Sequence, residues 1–469
     1  MRELLLPGFV GTTLPDWLAA RLRGGLGGVC LFADNIVSPA QLRELTAAIR
    51  AANPLALIAI DEEGGDVTRL FAGSGSPYPG NAVLGRLDDP ELTASVGAAV
   101  AAELRAAGVN LNFAPDVDLN SNPDNPVIGV RSFGTDPELV ARHTSAWVAA
   151  HEAGGVAVSA KHFPGHGDTA ADSHHALPVV DLPLEALRAR ELVPFRAAIA
   201  AGARTIMSSH ILLPQLDPHA PATFSSRILR ELLRGELGFT GVVVSDALDM
   251  VGASGEIGIP AAAVRALAGG CELLCIGTRN TDAQLGEIED AIAAAVASGE
   301  LSTELLAEAV ARVRALAESL AAEPSVAPPG VAPEPFVTDP ARIASAFDVR
   351  AGVVIPRGAL LLSLETRANM AVGPDVPWGL ASVGLAPLPV HDGEQLPASS
   401  APYLIVGKDN HRHAWTRALI DDARAARPGT VVIDMGWPAP DRAYADIATF
   451  GASRSVAAAL RALLEGGAS

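Results

Sequence analysis

From Met1 to about Ala321, short apolar runs alternate with Ala-, Leu-, Arg- and Glu-rich stretches of helical period. The strand-like runs are Phe9-Val10-Gly11, Gly28–Phe32, Leu57–Asp61, Val109–Phe113, Val156–Ala160, Thr205–Ser208, Val242–Ser245 and Leu273–Ile276. Eight such runs, each followed by a helical segment, predict a (β/α)8 TIM-like barrel rather than an open doubly wound sheet. The next stretch is aperiodic and rich in proline (Glu323-Pro324-Ser325-Val326-Ala327-Pro328-Pro329-Gly330), which predicts a linker over 322–337. Beyond it, Gly358–Leu364, Tyr403–Gly407 and Thr430–Asp434 look like strands, with a helical stretch at Trp415–Ala426. The expected organisation is therefore a barrel over 1–321, a linker over 322–337 and a smaller α/β sandwich over 338–469. That last segment carries no grouping with evident chemistry.

Composition narrows the function classes. A 49% hydrophobic chain of 469 residues suits a packed protein of two domains. Its net charge of −19 repels phosphate backbones and anionic lipid, so neither nucleic acid nor a membrane surface is an expected partner. No apolar run reaches the roughly 18–20 residues of a membrane helix. The start, Met1–Phe9, has too short an apolar core for a secretory signal and breaks at Pro7-Gly8, which favours a cytoplasmic protein. Cys30, Cys271 and Cys275 form no metal-like cluster and read as buried thiols. The run Gly24-Gly25-Leu26-Gly27-Gly28 is not a phosphate loop, since no lysine follows and a strand comes next.

The chemistry concentrates at the ends of the predicted strands. Asp61, Asp116, Lys161-His162, His210 and Asp246 all lie at or just beyond the C-terminal end of an apolar run, where barrels keep their active sites. Lys161 and His162 open the richest segment, Lys161–His175, in which four histidines, Asp168 and Asp172 crowd into fifteen residues broken by glycine and proline. Asp246 ends a wholly apolar strand. Such a carboxylate can attack an anomeric carbon, although a helix-capping role fits it as well. In Asp172-Ser173-His174, a carboxylate two residues from an imidazole can orient the ring, and the ring can serve as both acid and base. Asp61-Glu62-Glu63-Gly64-Gly65 leading to Arg69, and Arg131-Ser132-Phe133-Gly134, could grip sugar hydroxyls or form ordinary salt bridges. A metal site built from His162, His166, Asp168, His174 and His175 is a rival for the loop; the positive charge of Lys161 counts against it.

Taken together, Ile60-Asp61-Glu62-Glu63-Gly64-Gly65, Asn110-Leu111-Asn112-Phe113-Ala114-Pro115, Asn122–Pro126 leading to Arg131–Gly134, the Lys161–His174 loop and the strand Val242–Asp246 resemble glycoside hydrolase family three. The likeness is to its β-N-acetylglucosaminidases of the peptidoglycan-recycling type, in two-domain form. It implies that Asp246 is the nucleophile of a retaining mechanism, with His174 as acid/base and Asp172 as its partner. Asp61, Arg69, Arg131, Lys161 and His162 would hold the N-acetylglucosamine unit. No metal and no organic cofactor is implied, and the expected partner is a small carbohydrate, a muropeptide or related amino-sugar oligosaccharide. One departure is Asp66, where relatives commonly carry arginine. A phosphorylase using phosphate in place of water is the near alternative. A non-catalytic amino-sugar sensor and a metal-dependent hydrolase are more distant ones.

Overall fold

The computed structural model describes residues 1–170, 172–173, 177–255, 257–323, 334–366, 371–373 and 376–466, and the counts below concern these residues. They form two compact units. The first comprises Met1–Glu62, Pro90–Leu119 and Thr135–Glu334; the second comprises Glu63–Asp89, Asn120–Gly134 and Pro335–Ser469. Two excursions from the barrel sequence thus pack with the C-terminal stretch. Most of the expected linker, 324–333, lies outside the described residues.

The first unit contains eight parallel strands: β1 (Leu5–Pro7), β2 (Gly28–Leu31), β3 (Leu57–Ile60), β4 (Leu111–Asn112), β5 (Ala157–Phe163), β6 (Thr205–Ser208), β7 (Val242–Ser245) and β8 (Leu273–Gly277). They are hydrogen-bonded in the order β1-β8-β7-β6-β5-β4-β3-β2. At the seam the Gly27 N–H donates to the Arg2 carbonyl at 3.1 Å, so the sheet nearly closes into the expected barrel. A Cβ on Gly27 would fall 2.0 Å from the Glu3 carbonyl oxygen, and one on Gly28 would fall 1.9 Å from that of Leu57. Gly27 is therefore a close-packing device at the seam, and Gly28 one between β2 and β3.

Every strand residue of the barrel is buried, as a sheet covered on both faces requires. Two strands differ from expectation. The first is Leu5–Pro7 rather than Phe9–Gly11: Leu4, Leu5 and Leu6 are fully buried, whereas Val10 is 64% exposed. The fifth runs on to Phe163, which carries Lys161 and His162 within the strand rather than into the loop beyond it.

Helices start where their sequences cap them. Ser38 Oγ accepts from Gln41 N ahead of Pro39–Ala52, and Asp136 accepts from Leu139 N ahead of Pro137–Ala153, each with proline in the first turn. All three cysteines are buried, and burial pushes the Cys271 thiol up to about 12. No described helix is long and apolar enough to cross a membrane.

The second unit is built on a six-stranded sheet of β9 (Asp348–Val349), β10 (Leu360–Leu364), β11 (Leu388–Val390), β12 (Tyr403–Gly407), β13 (Val431–Asp434) and β14 (Ile447–Ala448). Its order is β11-β10-β12-β13-β14-β9, parallel except for β9. Alternate residues face opposite layers. Leu404, Val406 and Ile433 pack with Val456, Ala457 and Leu460 of helix Arg454–Gly466, while Ile405 and Val432 pack with Leu419, Ile420 and Ala423 of helix Ala414–Ala426. The expected sandwich is present. Short β9, β11 and β14, two or three residues each, carry too little periodicity to be seen in sequence.

Candidate active site

Five strand ends of the barrel unit, those of β3 to β7, supply the polar groups. Asp61 follows β3, and Lys161 projects from β5. Lys161 Nζ donates to Asp61 Oδ1 at 2.7 Å, with Lys161 buried and the carboxylate 20% exposed. A buried ammonium needs such a partner, because desolvation in its absence would strip its charge. The two asparagines of the Asn110–Pro115 motif act as substitutes for backbone. Asn110 bonds Ile58 N and the Ala56 carbonyl across β3, at 2.7 and 3.2 Å. Asn112 bonds both Glu62 N and the Glu62 carbonyl, at 3.0 and 2.9 Å, and so holds the residue next to Asp61.

Asp118, in the loop after β4, is a fully buried hub. Its Oδ2 accepts from His162 Nδ1 at 2.7 Å and His162 N at 3.2 Å, while Oδ1 accepts from His166 N at 2.7 Å. Burial opposes ionisation of this carboxyl, but the neighbouring His162 and these hydrogen bonds outweigh it and hold its pKa below the usual range. With Nδ1–H committed to Asp118, His162 turns its other nitrogen away from that carboxylate.

His166 is buried in the loop after β5. Burial, then the adjacent His162, pushes its pKa down to about 4, against an opposing pull from Asp118 and Asp246. Its tautomer follows from its partners. Thr169 Oγ1 donates to the His166 carbonyl at 3.1 Å and so accepts from Nδ1–H at 3.0 Å; Nε2 is left to accept from Ser173 Oγ at 3.2 Å. Gly167 is required here, since a Cβ would lie 1.4 Å from the Leu119 carbonyl oxygen.

Asp246 leaves the end of β7, and its Oδ1 accepts from Ala247 N at 2.7 Å. The following helix, Val251–Ser254, begins at a Met250 cap, so Asp246 is not its N-cap. His210, after β6, donates from Nε2 to the Ala247 carbonyl at 3.0 Å and supports that turn. Asp172 is half-buried and Ser173 is buried; His174 and His175 lie outside the described residues.

In the second unit, Arg131 is clamped by Glu63, Nε to Oε2 at 3.0 Å and Nη2 to Oε1 at 2.7 Å, with both side chains 4% exposed. This is a buried bidentate pair rather than a surface salt bridge. Arg69 donates to the carbonyls of Ala371 and Val372 at 2.8 and 3.5 Å. Asp66 accepts from Lys408 Nζ at 2.7 Å and Ala452 N at 2.8 Å, so the departure at this position is matched by a lysine.

For a cation, the described residues offer Asp116, Asp118 and His162, whose ligand-type atoms lie within 4.8 Å of one another. Asp118 and His162 already satisfy each other, and His166 is committed to Thr169 and Ser173. Asp168 faces Arg190 at 3.8 Å. Of the donors expected as a metal set, His162, His166 and Asp168 are thus divided among separate hydrogen bonds and an ion pair, while His174 and His175 lie outside the described residues. Asp118, Ser173, Thr169 and Glu63 escaped sequence reading as positioning groups. An aspartate in the loop after an apolar run, or a serine between Asp172 and His174, carries no periodic signal.

Residues 13–316 match the N-terminal domain of glycosyl hydrolase family 3. The chain belongs to glycoside hydrolase family 3. Among curated relatives of this family 3 enzyme, the β-hexosaminidase A of Pseudoalteromonas piscicida is 39% identical over 337 residues, covering 66% of the chain but only 56% of that protein's length. The β-hexosaminidase of Pseudomonas aeruginosa strain LESB58 is 42% identical over 275 residues, 57% of the chain and 82% of the relative. A solved family 3 β-N-acetylglucosaminidase from Paenibacillus sp. FPU-7 superposes with a TM-score of 0.87 at 33% identity, over 99% of this chain and 96% of that one. The likeness to that solved relative thus extends over nearly the whole chain, barrel unit and second sheet alike.

Proposed function

We propose that this family 3 enzyme is a retaining exo-β-N-acetylglucosaminidase. The observation that carries the proposal is Asp246 at the mouth end of β7, in the same barrel unit as the Asp61–Lys161 pair and the Asp118-held His162. The solved relative is named a β-N-acetylglucosaminidase, and the curated relatives β-hexosaminidases. In the proposed first step an Asp246 carboxylate oxygen bonds to C1 of the sugar while the bond from C1 to the leaving oxygen breaks. His174 gives its proton to that oxygen. Water then attacks C1, His174 takes its proton, and the C1–Asp246 bond breaks, so the anomeric configuration is retained. Asp172 would stabilise the imidazolium of His174 between these steps.

Asp61, Lys161 and His162 offer charge-assisted hydrogen bonds to the hydroxyls of the N-acetylglucosamine unit. The natural substrate proposed is a muropeptide or related amino-sugar oligosaccharide, processed in the cytoplasm without metal or organic cofactor. The test is release of chromophore from an aryl β-N-acetylglucosaminide by wild type and Asp246→Ala, with chelator throughout and products resolved by NMR. Activity lost in the variant, with β-N-acetylglucosamine formed first, is the expected result. A sugar 1-phosphate formed only with phosphate would mean a phosphorylase, activity abolished by chelator a metal enzyme, and a silent wild type that binds sugar a sensor.

A further inference from the structure

A continuous chain of hydrogen bonds runs from a buried charge to the segment that carries Asp172 and precedes His174. It starts at Asp118, 1% exposed, whose Oδ1 fixes His166 N at 2.7 Å. It continues through the His166 ring, whose Nδ1–H is consumed by Thr169 and whose Nε2 accepts from Ser173 Oγ at 3.2 Å. From Ser173 it passes to the loop after β7, because the Ser173 carbonyl accepts Gly252 N–H at 3.1 Å. Ser173 is thereby held from both sides, by its hydroxyl to the β5 loop and by its carbonyl to the turn that follows Asp246.

We propose that Ser173 and His166 are positioning residues: their hydrogen bond, with Asp118 as the anchor, fixes Ser173, the residue bonded directly to the proposed acid/base His174. The proposal rests on the glycosidase reading above. Three features make the device selective for position. The hydroxyl is the only group of Ser173 that can reach the ring, so loss of one oxygen breaks the link without disturbing the core. His166 stays an acceptor across the neutral and mildly acidic range, because burial opposes its protonation. Gly167, pressed against the Leu119 carbonyl, prevents the loop from sliding relative to Asp118.

A displaced general acid has a signature that a loosened fold lacks. It slows departure of poor leaving groups and spares those that leave unprotonated. The experiment compares kcat/KM, which reports the glycosylation step, for phenyl and 2,4-dinitrophenyl β-N-acetylglucosaminides in wild type, Ser173→Ala and Ser173→Thr. Ser173→Ala is expected to lower kcat/KM about tenfold for the phenyl glycoside and less than about twofold for the dinitrophenyl one, as loss of one oriented hydrogen bond implies. Ser173→Thr, which keeps the hydroxyl, is expected to restore the phenyl rate. In Ser173→Ala/His166→Phe the two losses should not add, since both remove the same bond. Equal losses on both substrates, no loss on either, or no rescue by threonine would each overturn the proposal. A wild type inactive on both glycosides would instead overturn the glycosidase reading itself.

Discussion

Replacing His151 by Gln should remove a specific acid sensitivity of the barrel unit. His151 is fully buried in helix Pro137–Ala153, stacked on Trp147 with ring centroids 4.4 Å apart. Its Nδ1–H donates to the Gly97 carbonyl at 3.0 Å, and Nε2 lies 3.5 Å from Asn112 Nδ2, itself a donor. A proton on Nε2 would face that donor in an apolar setting. Burial accordingly pushes the pKa down to about 3 from an ordinary 6.5.

The sign follows from proton binding. Below pH 6.5 the unfolded chain takes up a proton that the folded chain refuses, so unfolding is favoured progressively until pH falls to about 3. Between pH 7.5 and 5 the linkage integral for such a shift is about 2 kcal/mol of stability lost. Other groups also titrate in this window; burial raises Asp434 to about 7, for example, which acts in the opposite direction. The difference between wild type and His151→Gln cancels them. The assay is urea unfolding at pH 7.5, 6 and 5, followed by tryptophan fluorescence. Wild type should be the more stable at pH 7.5, and its advantage should shrink by about 2 kcal/mol at pH 5. An advantage constant within about 0.5 kcal/mol would refute the reasoning, because it would mean that His151 protonates alike in both states.

Three further outcomes follow from the same contacts. Gly167→Ala places a methyl against the Leu119 carbonyl, and the clash should lower the melting temperature by about 5 °C and activity at least about tenfold; calorimetry with unchanged values would show that the loop can shift. Glu63→Ala strips the buried Arg131 of its carboxylate clamp, at an expected cost of about 3–5 kcal/mol in chemical unfolding of the second unit. A loss below about 1 kcal/mol would show that solvent reaches the guanidinium. Asn112→Ala removes the partners of both Glu62 backbone groups, with about 1–3 kcal/mol of stability lost. Its KM for an aryl N-acetylglucosaminide should rise if Asp61 grips the sugar, and an unchanged KM would separate Asp61 from binding.

By itself the sequence determined the barrel, the second sheet and the strand ends at which buried polar groups collect. Fully buried parallel strands must be short continuous apolar runs, and such runs are visible without a structure. Asp61, Lys161, His162 and Asp246 stand at the ends of those runs, so they were legible for the same reason. The first strand was not: in Leu4–Gly11, burial stops at Phe9, and only the pairing of Leu5–Pro7 with β8 decides the register. Nor did composition mark where the second unit draws its parts, since Glu63–Asp89 and Asn120–Gly134 join it by packing across long sequence separations. Tertiary structure alone decided the partners. Lys161 meets Asp61 across a hundred residues, Asp118 meets His162 and His166, and Arg131 meets Glu63. A hydrogen bond selects its partner by distance and direction in space, and neither quantity is written in the order of residues along a chain.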